Sequence, residues 1–224
     1  MGSGQHTAVN AREILNETAV IADAIAKRHL RELTDEDNEW LVTAFYRAEA
    51  LAHAALVDAI SQLNEPYLTP LTEQLEDEAR HVDVFARWHT IPPEPVRPPA
   101  SKQRNEPIWF TLLLINEVAG FCQFELLAGL VSDEVKHAEV AAVAADEVLH
   151  IIRLLDWLEH WRNQGSWMIV ERMVNSFISK LEGRMTQFFP RDELGELRSA
   201  LAGLVGKTLR RLLDPQIRPE RPPV

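Results

Sequence analysis

The sequence predicts an all-α protein, a four-helix bundle over about residues 36–163 with one additional helix before it and further helices after it. Three observations predict this. Glycine is scarce, nine in 224 residues, and runs rich in Ala, Leu, Glu and Arg make helix the default. Apolar residues recur with helical period along most of the chain. Turn signals cut it into helix-length pieces: Asn64-Glu65-Pro66, the run from Pro92 to Pro99, Gly129 to Asp133, and Pro190. The length suits a single domain, 1–224, with a full core.

Each element has its own reason. Residues 8–32 read as an amphipathic helix, with Ile14, Val20, Ile21, Ile25 and Leu30 on or near one side. It carries no ligand set and is expected to pack on the bundle or to form a dimer. Thr34-Asp-Glu-Asp37 places acids in the first turn of the next helix, about 36–62. The second bundle helix spans about 69–90. Pro92, Pro93, Pro95, Pro98 and Pro99 then forbid helix and predict a long crossover to about 106. The third helix, about 107–130, opens on Pro107 and is the most apolar, with Trp109, Phe110, Leu112 to Ile115, Phe121 and Phe124. Ser132-Asp-Glu is expected to cap the fourth, which runs to about 163. Helices of about 166–187 and 191–213 cover the bundle, and Pro215 to Val224 reads as an extended tail.

The chemistry lies in two repeats of one pattern, Asp77-Glu78-Ala79-Arg80-His81 and Asp146-Glu147-Val148-Leu149-His150. Residues three apart share a helix face, so each Glu–His pair can address one metal ion. About thirty residues before each pair stands a lone Glu in an apolar helical pattern, Glu49 and Glu117. Small and apolar neighbours, Ala48, Ala50, Leu51 and Ala52, argue for Glu49 as a ligand rather than a solvated acid. The set Glu, Glu-x-x-His, Glu, Glu-x-x-His over four helices is that of di-iron and di-manganese carboxylate bundles. One Glu-x-x-His is weak evidence, since composition alone gives roughly one match. The spacing is stronger. In an antiparallel hairpin, residues equidistant from the turn lie at one height. Glu117 and Glu147 are centred on position 132, and Glu49 and Glu78 between 63 and 64, each inside or close to a turn.

Other candidates are weaker. Glu134-Val-Lys-His137 faces away from Glu147 on their shared helix, and Glu125 pairs badly in height with Glu147. His53, one turn after Glu49, reads as a further ligand, a hydrogen-bonding neighbour of the ligands or a core histidine. Cys122 is expected in the core. Phe45, Phe85, Phe121 and Phe124 lie one or two turns from the ligands. Singly they are core residues; together they could line an apolar substrate pocket.

Over about 36–163 the chain resembles the ferritin-like superfamily of carboxylate-bridged di-iron proteins. Asp77-Glu-Ala-Arg-His81 is especially similar to the Asp-Glu-x-Arg-His motif of bacterial di-iron monooxygenases. The resemblance implies a ferritin-like bundle with Glu49, Glu78, His81, Glu117, Glu147 and His150 as ligands. It implies that Asp77 and Asp146 each hold a ligand histidine through its ring N–H, and that Arg80 is a counter-charge beside the ligands. Leu149 stands where a second Arg would. Phe85 occupies the position of the radical Tyr in ribonucleotide reductase small subunits, and Val143 that of an extra His in arylamine N-oxygenases.

The expected activity is that of an oxidoreductase, a di-iron monooxygenase or oxidase using O2 on a small, largely apolar molecule. The expected cofactor is two iron ions, with manganese as the alternative, and the expected partner an electron-donor protein. A ferroxidase-type iron-handling protein and a di-manganese catalase-like enzyme are the rival readings. A net charge of −11 argues against nucleic acid and anionic membranes. A single cysteine excludes an intramolecular disulfide and a cysteine-based zinc site. Met1-Gly-Ser-Gly has no apolar core, and Pro107 to Asn116 is too short to span a bilayer, so a cytoplasmic location is expected.

Overall fold

A computed structural model describes residues 10–29, 35–89, 94, 100–162 and 164–217. Eight helices make up the described chain: α1 Ala11–His29, α2 Asp35–Ile60, α3 Leu68–Arg87, α4 Glu106–Leu130, α5 Glu134–Glu159, α6 Trp167–Ile178, α7 Leu181–Met185 and α8 Gly195–Leu212. The protein is all-α, and the arrangement of α2–α5 is compatible with a ferritin-like bundle.

The hairpin α2–α3 packs beside the hairpin α4–α5. Side-chain pairings give the directions. Thr43 meets His89 and Glu49 meets His81, so α2 and α3 are antiparallel. His150 meets Glu117 and His137 meets the Ala128 carbonyl, so α4 and α5 are antiparallel. Asp77 meets His150 and His81 meets Asp146, so α3 and α5 are antiparallel too. It follows that α3 and α4 run in the same direction. The prolines expected to form the crossover, Pro92, Pro93, Pro95, Pro98 and Pro99, lie outside the described residues, as do Leu30, most of the tail and the first nine residues.

Local chemistry sets the helix ends. The Asn10 side chain accepts from the Glu13 N–H at 2.8 Å while Glu13 accepts from the Asn10 N–H at 3.1 Å, a reciprocal cap that starts α1. Asn105 caps α4 through the Ile108 N–H, with Pro107 in the first turn. At α5 the capping oxygen belongs to Asp133, one residue later than expected, and it accepts from Lys136 N–H at 2.9 Å. The expected helix 166–187 is two pieces. At the break, the Ser179 hydroxyl donates to the Ser176 carbonyl.

Helix α4 is buried on nearly every side. It is, among the described residues, the one helix long and apolar enough to cross a membrane, and most of it is buried inside the protein. Its cover is α1, α6 and α8 on one side and the other bundle helices on the rest. Of the residues expected on the buried side of α1, Ile14 is fully buried and Ile21 and Ile25 pack against the core, but Val20 is 70% exposed; the rest of the buried side is largely of small residues, Ala11, Thr18, Ala22 and Ala26, with Leu15. Small residues let α1 and α4 approach closely. A Cβ at Gly129 would stand 2.6 Å from Ala26 Cβ. Gly129→Ala should therefore destabilise by about 1–3 kcal/mol although it favours helix locally; a thermal melt at or above the parent's would refute this contact. Helix α8 is tied to α1 by Thr208 and Thr18, whose hydroxyls lie 3.0 Å apart. Thr18 gives its proton to the Ile14 carbonyl, so Thr208 is the donor between them.

Candidate metal centre

Six acids and imidazoles from four helices converge in the middle of the bundle. Glu49 comes from α2, Glu78 and His81 from α3, Glu117 from α4, Glu147 and His150 from α5. Each is at most 4% exposed. Acids and imidazoles withdrawn this far from water need partners of opposite charge. The i,i+3 spacing aims each Glu–His pair at the same interior point, as the sequence periodicity requires.

The donor atoms form two groups. Glu78, Glu117, Glu147 and His150 make one, and Glu49, His81 and Glu147 the other, with the donor atoms of each group within 4.8 Å of one another. Either group could hold a metal ion, and Glu147 belongs to both. His150 Nδ1 lies 3.0 Å from Glu117, 3.8 Å from Glu78 and 3.9 Å from Glu147. His81 Nδ1 lies 3.3 Å from Glu49, 3.6 Å from Glu147 and 3.9 Å from Glu78. The two rings are 6.4 Å apart, one at each end of the cluster.

The outer nitrogens are fixed by the aspartates, and the pairing is crossed. His81 Nε2–H donates to Asp146 at 3.2 Å, and His150 Nε2–H donates to Asp77 at 3.1 Å. Each motif thus orients the other motif's histidine. A proton on Nε2 leaves Nδ1 turned inward as the ligand atom. Arg80 lies 2.5 Å from Asp77 and 3.3 Å from Asp146, so one guanidinium spans both aspartates. That explains how Leu149, 54% exposed, can stand where a second Arg would be expected.

Without metal, this cluster holds protons. Burial, together with the charge of Glu117, keeps the Glu78 and Glu147 carboxyls well above the usual carboxylate range. Burial also raises Glu49. Burial would raise Glu117 as well, but its bonds to Glu147 and His150 outweigh that and lower it. Burial would depress His81 and His150, yet the carboxylates around them win and raise both. Both shifts favour the protonated ring, in which Nδ1 also carries a proton and cannot bind metal. Even so, Glu49 Oε2, Glu78 Oε2, Glu147 Oε2 and His81 Nδ1 are buried with no hydrogen-bond partner. Unsatisfied buried donor atoms of this kind are what a cation would complete.

Gln74 is the neighbour that sequence reasoning missed. Fully buried one turn before Glu78, it donates from Nε2 to Glu117 Oε1 at 3.0 Å. Its signal was the helical period: position 74 lies on the Glu78 face. The matching position in the second motif, four before Glu147, is the apolar Val143. The two ends of the cluster are therefore unequal, and Glu117 is held by two bonds while Glu49 Oε2 has none. Metal should load in two steps, first among Glu117, His150, Glu78 and Glu147. Gln74→Leu, which removes the bond to Glu117, should weaken the first step by about 10-fold or more. Two indistinguishable steps in a metal titration of the parent would contradict this.

A cavity of about 290 Å³ opens onto the cluster. Glu49, Glu78, Glu117 and Glu147 form its floor, while Ala48, Leu51, Ala52, Phe177, Met185 and Phe188 supply apolar wall. The pocket expected from phenylalanines is elsewhere in character. Phe45, Phe85, Phe121 and Phe124 are all buried, but none lines this cavity. Phe45, Phe85 and Phe124 stack on one another with centroids 5.4–5.7 Å apart, which fills the space between them. The wall instead comes partly from α6, α7 and the residues after them, so these helices do more than cover the bundle. Gly120 keeps one side open: a Cβ there would stand 3.3 Å from the Phe124 ring and 3.7 Å from the Glu147 carboxyl carbon.

The remaining candidates fall outside both donor groups. His53 is half-buried and joins neither. Glu125 is half-buried, with burial and Asp23 raising its carboxyl. Glu134 is exposed, and His137 donates from Nδ1 to the Ala128 carbonyl at 2.9 Å, clasping the α4–α5 turn. Cys122 is fully buried, and burial pushes its thiol up to about 12.

Fold and site thus define an all-α protein with a buried Glu/His cluster that could hold metal. Comparison of the chain with protein-family models, curated proteins and solved structures finds no match.

Proposed function

We propose that this chain is a ferritin-like, carboxylate-bridged di-iron oxygenase or oxidase acting on a small, largely apolar organic molecule. The observation that carries the reading is the pair of donor groups sharing Glu147. Four carboxylates and two neutral imidazoles suit hard to intermediate metals. Two divalent ions would balance the four carboxylate charges and satisfy the orphaned atoms of Glu49, Glu78, Glu147 and His81. Bound iron would supply the electrons that reduce O2. For a hydroxylation, O2, two protons and two electrons from a donor protein convert C–H to C–OH and release one water.

The chain's own residues set the conditions. Glu147, common to both donor groups, would help hold both ions. Asp77, Asp146 and Arg80 hold the imidazoles in the tautomer that presents Nδ1. The apolar wall limits water and receives the substrate. The cavity beside the cluster is also the feature that favours an organic substrate over iron storage.

The test is anaerobic loading of the purified chain with Fe(II), followed by metal analysis and exposure to air. Two irons per chain and transient near-ultraviolet or visible bands are expected. No metal above background, or manganese retained in preference to iron, would overturn the reading.

A further inference from the structure

The cavity has one cationic residue, and it points to the class of substrate. Arg184, Asn116 and Gln187 line the cavity and are exposed, so they mark its mouth, while the four lining glutamates are buried. The Arg184 guanidinium carbon stands 5.0 Å over the Phe177 ring, and no carboxylate lies within ion-pair distance of it among the described residues. Six arginines, Arg28, Arg80, Arg87, Arg153, Arg162 and Arg211, are ion-paired; Arg184 differs from them and from the other arginines in lining this cavity. Arg184 instead stands over the Phe177 ring of the wall, and its fork of N–H donors is available to a ligand. With two divalent cations bound, the floor would be neutral and Arg184 would make the mouth the positive part of the cavity.

We infer that the substrate is an apolar monocarboxylate, held at the mouth by Arg184, with its apolar body along Phe177, Met185 and Phe188. Its far end meets the Glu49–Glu147 floor, so oxidation falls on carbon remote from the carboxylate. This rests on the oxygenase reading for the reaction, but the binding step is measured without turnover. A cavity of about 290 Å³ sits at the small end of ligand pockets, which run roughly 300–1,000 Å³. It suits a single ring or a short chain.

The experiment is calorimetric titration of the full chain, Fe(II)-loaded and anaerobic, with phenylpropanoate, phenylpropanol and phenylpropylamine. The carboxylate should bind at least about 10-fold more tightly than the alcohol, and the amine should be weakest. Arg184→Gln should abolish the preference for the carboxylate while leaving alcohol binding and melting temperature unchanged. Arg184→Lys should recover part of it. Equal affinities for the three probes, or a carboxylate preference that survives in Arg184→Gln because the metals alone bind it, would overturn the inference. Metal content is determined on each sample. A chain with two irons and no Arg184 effect refutes the inference alone. A chain without metal refutes the oxygenase reading, and the parent-to-Arg184→Gln comparison still decides the anion site.

Discussion

Replacing Glu147 by Gln is expected to strip metal from both positions while leaving the metal-free fold at least as stable as the parent. Glu147 is the residue common to both donor groups, with Oε1 3.6 Å from His81 Nδ1 and Oε2 3.9 Å from His150 Nδ1. An amide has the shape of the acid but no charge to share between two cations. Metal content should fall from two per chain to below one. Loss of an outer-shell partner typically costs about 10–100-fold in metal affinity or activity, and a shared ligand should cost more, so iron-dependent oxygen consumption should fall by at least about 100-fold. Stability should move the other way. Burial and Glu117 raise the carboxyl of metal-free Glu147 well above the usual carboxylate range, which favours its neutral form, so the amide replaces a group that is repelled by its neighbours once ionised. Glu134→Gln, an exposed change in the discarded third Glu-x-x-His, serves as the control. Retention of two metals by Glu147→Gln would remove Glu147 from the bridging position.

The second large effect is on stability against pH, and it should change sign with metal. The folded, metal-free chain raises the carboxyls of Glu49, Glu78 and Glu147 above 4.5 and the imidazoles of His81 and His150 above 6.5. Above those unfolded values the folded state binds more protons than the unfolded one, so its stability falls as pH rises. The contribution is complete below the unfolded values and disappears as pH passes the raised ones. Glu117 and Asp77 are lowered and act oppositely, but their window lies on the acid side, where stability is lost as pH falls. Between about pH 5 and pH 8 the metal-free melting temperature should therefore decline. Metal replaces these protons and binds more tightly as pH rises. At free metal about 1,000 times Kd the gain is about 4 kcal/mol, or roughly 10 °C in a domain of this size. Thermal melts with chelator and with Fe(II) across this range test it. A metal-free melting temperature that is flat or rising from pH 5 to pH 8 would show that the cluster does not hold these protons.

The six converging side chains were legible because their signal is local. Glu78 with His81, and Glu147 with His150, share a face by helical period alone. Glu49 and Glu117 needed only the assumption that each hairpin closes at its turn. Gln74 was legible in principle by the same period, but a single glutamine on a helix carries no chemistry of its own until it is seen against Glu117. The phenylalanines misled because apolar residues near a site can either line a space or fill it. Phe45, Phe85 and Phe124 fill it. The cavity wall includes Phe177, Arg184, Met185 and Phe188, some thirty or more residues beyond Glu147. No spacing rule connects them to the ligands.

The sequence by itself determined the helical class, the two hairpins and the convergence of two Glu–His pairs with two lone glutamates. Each of these follows from a period or from distance to a turn, which a linear chain carries within itself. The tertiary structure decided which aspartate orients which histidine, and it chose the crossed pairing of Asp77 with His150 and Asp146 with His81. It decided that one Arg80 serves both motifs, that Gln74 makes the two ends unequal, and that residues of α6 and α7 with Phe188 wall the cavity. These depend on how separate helices rotate and dock against one another. Docking is set by side-chain shape summed over the whole core, including the close α1–α4 contact at Gly129 and Ala26.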